Sequence, residues 1–131
     1  MIAFFVAGLP AAQGSKRHVG GGRLIEMSKA VGPWREAVRA ETQRIMQYHP
    51  AFTGAVEVRL MFLLARPASL PKRVQWPAKR PDLDKLARAV LDGLTEGGAW
   101  KDDGQVISLI ATKEYAGPED KPGCAIEVKE L

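Results

Sequence analysis

The run Ala55-Val56-Glu57-Val58-Arg59-Leu60-Met61-Phe62-Leu63-Leu64 alternates apolar and polar residues and then turns continuously apolar. A period of two sends successive side chains to opposite faces of a strand, so Val56, Val58, Leu60, Phe62 and Leu64 are predicted to share a core face. Ile2-Ala3-Phe4-Phe5-Val6-Ala7 predicts an opening strand, stopped by the turn residues Gly8-Leu9-Pro10. A long loop or hairpin follows, within which Arg23-Leu24-Ile25-Glu26-Met27 predicts a short second strand. From Pro33 to about Tyr48 the spacing turns helical, with Trp34, Ala37, Val38, Glu41 and Ile45 on one mostly apolar face. Arg35, Arg39 and Arg44 take the other face, and Glu36 and Glu41 stand where they can pair with them, which favours a solvated surface over a DNA contact.

Asp82 is placed as the N-cap of a second helix running to about Thr95, with Leu83, Leu86, Val90 and Leu94 as its buried stripe. Pro81 disfavours helical backbone at Arg80 and so sets the start. Gly97-Gly98 ends the helix, Trp100 is expected to pack, and Asp102-Asp103-Gly104 predicts a turn into a strand from Gln105 to Tyr115. A final hairpin to Cys124-Ala125-Ile126-Glu127-Val128 is expected to close the sheet. The elements add up to an α+β fold, a small mixed sheet of about four to five strands with two main helices.

The 131 residues, 46% of them hydrophobic, suit one domain spanning 1–131. No run approaches the roughly 20 apolar residues of a membrane span, and the apolar Met1–Gly8 has neither a charged n-region nor a signal-like cleavage site, so a cytoplasmic protein with no membrane partner is expected. Cys124 stands alone, and His18 and His49 are far apart, which excludes a disulfide framework and a zinc-finger spacing and leaves both histidines as surface or loop residues. Charge adds more. Residues 1–81 hold 13 Lys+Arg against 4 Asp+Glu, a balance of +9, whereas residues 82–131 hold 6 against 11, a balance of −5. A basic region of this kind suits a polyanion such as DNA, and an acidic patch can share that surface if cations occupy it.

The basic residues fall in two loops. Lys16-Arg17-His18 and Gly20-Gly21-Gly22-Arg23 can bring cations and backbone amides to phosphate, without the context of a nucleotide-binding loop. Residues 65–81 hold Pro67, Pro71, Pro77 and Pro81 among Arg66, Lys72, Arg73, Lys79 and Arg80, with Trp76 between, and suit an arm that tracks a nucleic-acid backbone. Directly after this arm come the aspartates, Asp82 and Asp84 and then Asp102 and Asp103. Carboxylates that converge repel one another unless a cation joins them, and hard oxygen ligands suit Mg²⁺ or Mn²⁺. On the second helix Asp84, Arg88 and Asp92 fall at i, i+4 and i+8, on one strip of surface.

Asp82-Leu83-Asp84, Arg88, Leu91-Asp92-Gly93-Leu94 and Trp100-Lys101-Asp102-Asp103-Gly104-Gln105-Val106 together resemble the RusA family of Holliday-junction resolvases, often carried by bacteriophages and prophages. The match in order and spacing covers about 25 positions, and a looser likeness runs from the opening strand through Lys16-Arg17 to the helix around Trp34. The resemblance implies a homodimeric, Mg²⁺-dependent crossover junction endodeoxyribonuclease, with Mn²⁺ as a substitute, that nicks two opposed strands of four-way or branched DNA in recombination and repair. By motif position Asp82, Asp84 and Asp103 correspond to the family's essential carboxylates, and these three, with Asp102 next, are the expected metal ligands. Arg88 falls where the family commonly has a catalytic lysine, and Lys85 where it more often has asparagine. Arginine keeps its charge and can hold a phosphate bidentately but is a poor proton donor. Asp82, Asp84, Arg88 and Asp103 are thus the expected catalytic set, with Asp92 supporting Arg88 and with Lys16, Arg17, Arg23, Lys72, Arg73, Lys79 and Arg80 as DNA contacts. The approximate two-fold symmetry of a four-way junction, which must be cut twice, suits a C₂ dimer. Three rival readings stand beside it. A binding module without catalysis would use the aspartates only to cap helices and turns. A related nuclease would act on flaps, forks or other branched DNA. A calcium-binding loop is excluded by Leu86 where a third ligand is needed.

Overall fold

A computed structural model describes residues 1–13, 16–19, 23–26 and 29–131, with backbone only for 16–19 and 23–26. The alternating run forms strand β4, Val56–Leu64, and all five residues of its predicted core face are buried. The opening strand β1 is Ile2–Ala7. Strands β2, Lys16–Val19, and β3, Arg23–Glu26, pair with each other as a separate two-stranded ribbon. His18 therefore falls in a strand, and Met27 lies outside the described residues.

Helix α1 spans Val31–Met46 and starts two residues before Pro33, whose missing N–H falls in the first turn, where no helical acceptor exists for it. Its buried face is Val31, Trp34, Val38 and Thr42, with Ala37 and Ile45 packed at the margin. Glu41 lies outside this face and pairs with Arg44, as Glu36 does with Arg39. Thr42 is fully buried because its hydroxyl donates to Val38 O one turn back (2.7 Å), leaving its methyl for packing. Helix α2 spans Leu83–Glu96 and buries Leu86, Ala87, Ala89, Val90, Gly93 and Leu94, while Leu83 is half-buried.

The last strands are β5, Val106–Tyr115, and β6, Gly123–Glu130. The predicted closing hairpin does not form. Strand order is β1-β6-β4-β5, so β6 lies between β1 and β4, antiparallel to both, and β5 pairs parallel to β4 at the edge. A parallel pair cannot be joined by a tight turn. The crossover from β4 to β5 runs through the proline-rich loop, α2 and the Asp102-Asp103 turn, so every candidate site residue from Lys72 to Asp103 sits on one connection. One sheet face is buried under α1 and α2 around Val58, Phe62, Leu86, Val90, Ile126 and Val128. The other stays open, with Phe5, Met61 and Ile110 exposed. Cys124 is a core residue whose thiol burial pushes up to about 12, which removes it from chemistry at neutral pH. Among the described residues no helix is long and apolar enough to cross a membrane.

Candidate active site

The acidic residues stand on α2 with its N-cap and on a 3₁₀ turn, Asp103–Gln105, that leads into β5, and these two elements touch. The turn is pinned from both sides. Trp100 is buried, forms an isolated bridge with Phe52, and donates its indole N–H to Thr95 Oγ1 (2.8 Å). Asp102 accepts from Gly104 N at 2.9 Å and completes a capping box with Gln105. Gln105 is the hub: its Oε1 accepts from the N–H groups of Lys101 (3.1 Å) and Asp102 (3.3 Å). Its Nε2 donates to Phe52 O (2.9 Å) and Gly54 O (3.0 Å), just ahead of β4. All four hydrogen-bonding positions of the amide are used, so the glutamine of the sequence motif serves to seat the aspartates. Gln105→Leu is expected to lower stability by ~2 kcal/mol, the net of several lost hydrogen bonds and stranded backbone groups. Urea unfolding measures this, and a variant as stable as the parent would show that the turn is held by other contacts.

Asp82 occupies the N-cap position of α2 with extended backbone, yet its side chain caps nothing. Lys85 one turn on draws it instead, with Nζ 3.8 Å from Asp82 Oδ2. The capping bond expected at Asp82 is absent, whereas Asp102 makes one at the 3₁₀ turn. Asp82 and Asp84 are exposed, and no hydrogen bond or ion pair engages Asp84 among the described residues. Arg88 lies between two carboxylates: its Nη1 is 3.5 Å from Asp103 Oδ2 and its Nε 3.7 Å from Asp92 Oδ1. Asp84 falls on the same helical strip as Arg88 and Asp92. Lys113 of β5 ties down the approach to Asp82, donating to Lys79 O (2.7 Å) and Pro81 O (2.9 Å). Nothing in the sequence marked Lys113, whose partners are backbone carbonyls more than thirty residues away.

The proline-rich loop contains no helix or strand, but it is folded by turns closed at Pro67–Leu70 and Pro71–Val74. Arg66 turns inward, donating to Val74 O (2.7 Å) and Pro71 O (2.8 Å) and lying over the Tyr115 ring. It is a brace for the loop, leaving Lys72, Arg73, Lys79 and Arg80 as its exposed cations, with Trp76 66% exposed among them. The side chains of Lys16, Arg17 and Arg23 lie outside the described residues. Among the described residues no group of three or more His, Cys, Asp or Glu side chains is gathered closely enough to hold a metal ion. In comparisons with known proteins, the family model described as Endodeoxyribonuclease RusA matches residues 7–129. No curated protein matches the chain.

Proposed function

The chain belongs to the RusA endodeoxyribonuclease family, and from that premise we propose that it is a Mg²⁺-dependent, structure-specific nuclease that resolves Holliday junctions by paired symmetrical nicks, acting as a homodimer. The observation that carries the reading is the contact of α2 with the 3₁₀ turn, where Arg88 reaches Asp103 from a helix that carries Asp84 in its first turn and Asp82 at its N-cap. By donor chemistry these residues suit a hard divalent cation: among the described residues Asp82 makes no capping bond and pairs only with Lys85, Asp84 is exposed, and Asp103 pairs only with Arg88. Asp82, Asp84 and Asp103 would hold the ion, with Asp102 behind them because one of its oxygens already accepts from Gly104 N. The bound ion would supply an activated water and charge neutralisation for phosphodiester hydrolysis, and Mn²⁺ would serve in place of Mg²⁺.

The chain's own residues do the remaining work. Arg88 offers two parallel N–H donors to a phosphate and, as a guanidinium, is a poor proton donor, so it binds and neutralises the scissile group without acting as a general acid. Lys72, Arg73, Lys79 and Arg80, joined by Lys16, Arg17 and Arg23, follow the DNA backbone, a contribution that weakens as salt rises. The two-fold symmetry of the junction calls for two copies of the site, hence the dimer. Arg88→Lys is expected to keep cleavage within about tenfold of the parent, because the charge remains while the fork is lost. A loss as deep as that of an aspartate variant would show that bidentate geometry is required.

One observation favours a second reading, a module that binds branched DNA without cutting it: among the described residues no three carboxylates are gathered for a metal. A single experiment separates the two. The protein is incubated with a synthetic four-way junction and a matched linear duplex, with Mg²⁺ or with EDTA, and products are resolved strand by strand. Paired nicks in the junction alone, dependent on Mg²⁺, support the resolvase. Tight junction binding without cleavage under any divalent metal supports the binding module, and preferred cutting of flaps or forks would assign the same chemistry to another branched substrate.

A further inference from the structure

Gln13 lies outside every motif considered above, in the segment that leaves β1, yet it touches both helices. Ala11 is buried and Gln13 N–H donates to Lys85 O at 3.1 Å, which lays this segment along the first turns of α2. The Gln13 side chain then bridges the two helices. Its Oε1 accepts from Arg35 Nη1 of α1 (2.9 Å), and its Nε2 donates to Asp92 Oδ2 of α2. The amide can take only this orientation, because a guanidinium has no acceptor and a carboxylate no donor. Asp92 is thereby held by one oxygen, and its other oxygen faces Arg88 Nε at 3.7 Å. Arg88 in turn reaches Asp103.

From this relay, Arg35 to Gln13 to Asp92 to Arg88, we propose that Gln13 is a positioning residue that fixes the guanidinium of Arg88 where it meets the scissile phosphate, an inference that rests on the nuclease reading of Arg88. The Arg88 side chain is 58% exposed, and an exposed ion pair by itself holds a long side chain weakly. A carboxylate locked from behind by a second hydrogen bond is a better anchor than one free to rotate, as with the outer partners of metal and catalytic ligands. Arg35 has a charged partner of its own, since Glu96 lies 3.8 Å from its Nε. The bridge therefore serves Asp92 more than Arg35.

Gln13→Leu keeps the side chain's approximate volume and removes both bonds. Junction cleavage by the folded fraction is expected to fall by up to about tenfold, no deeper than in Arg88→Lys because the route runs through Arg88, while the melting midpoint drops by a few degrees with the loss of two hydrogen bonds to charged groups. Asp92→Ala is expected to act through the same route, so the double variant should be no slower than the slower single variant. Multiplying losses would overturn the relay. A second readout needs neither DNA nor metal: the ¹⁵N–¹H resonance of Arg88 Nε, assigned by its disappearance in Arg88→Lys, should be shifted in the parent and collapse toward the position of a free arginine in Gln13→Leu. An unchanged resonance would overturn the proposal whatever the activity. Gln13→Glu carries the same test if the leucine variant fails to fold, because it can still accept from Arg35 but cannot donate to Asp92. Should the parent cleave no branched DNA while the resonance still responds to Gln13, the nuclease reading fails and the positioning of Arg88 stands.

Discussion

Replacing Asp103 by asparagine is expected to lower junction cleavage by at least ~10²-fold, the order lost when one electrostatic group at a reacting centre is removed. Junction affinity measured without divalent metal should stay level or rise. The substitution preserves shape and removes a negative charge. The turn should survive it, because the capping box uses Asp102 and Gln105 and leaves the Asp103 side chain out. Arg88, relieved of its partner at 3.5 Å, would be freer to meet phosphate, and repulsion of the DNA backbone would be smaller. Asp82→Asn should behave alike, since asparagine is equally acceptable at an N-cap and the native side chain makes no capping bond there. Asp102→Asn makes a useful contrast: the new amide oxygen can still accept from Gly104 N, so a smaller loss is expected. Gel-resolved single-turnover cleavage with a parallel binding titration checks all three. Full activity in the Asp82 or Asp103 variant would sink the assignment of these carboxylates.

The double variant Gly93→Ala/Gly97→Ala should lose ~3–4 kcal/mol of stability in urea unfolding, although helix propensity alone would have the alanine at position 93, inside α2, stabilise by up to ~1 kcal/mol. Sterics decide the sign. A Cβ at Gly93 would lie 2.7 Å from Val38 Cγ1 and 2.8 Å from Val38 Cβ, and one at Gly97 would lie 2.6 Å from Thr42 Cβ and 2.8 Å from the Arg39 carbonyl oxygen. Neither position has a positive φ, so close approach of the helices, and not backbone conformation, is what requires glycine. The obstructing atoms include backbone of α1, which cannot yield by changing a rotamer. Because the two sites share one interface, the second alanine should add less than the first. Displacing α2 would also pull on the bridge from Arg35 through Gln13 to Asp92, so cleavage by the folded fraction should drop as well. A midpoint equal to or above that of the parent would show that the helices can separate without loss.

This interface also explains what could be read in the sequence and what could not. The face of β4 was legible because alternation is a local signal, and α2 was legible from its apolar stripe. The face of α1 was read one position too far round: Thr42, a polar residue, is buried against the backbone of Gly97, whereas Glu41 turns outward to Arg44. The expected hairpin of β5 and β6 does not form because nearness in sequence is only a tendency, and β6 pairs instead with β1 and β4, both far away along the chain. Near the candidate site, the aspartates, Arg88 and Asp92 were visible as charges at helical and turn spacings. Gln13, Gln105 and Lys113 were not singled out for what they do. Each acts through hydrogen bonds to residues tens of positions distant, and uncharged amides and a lysine bonded to carbonyls leave no periodicity to detect.

The position of β6 has a consequence for how the molecule is made. The sheet's two inner strands are β4 and β6, and β6 is the last of its elements to emerge in synthesis. Until Gly123–Glu130 is available, β1 has no partner in this sheet, and β4 and β5 form a parallel pair whose apolar face lacks Ile126 and Val128. Native pairing must then close loops from one end of the chain to the other, an ordering that slows folding and prolongs the exposure of open strand edges. The core of this sheet therefore cannot be completed before β6 has emerged. Once folded, the amide protons of β6, paired on both sides, should rank among the slowest to exchange.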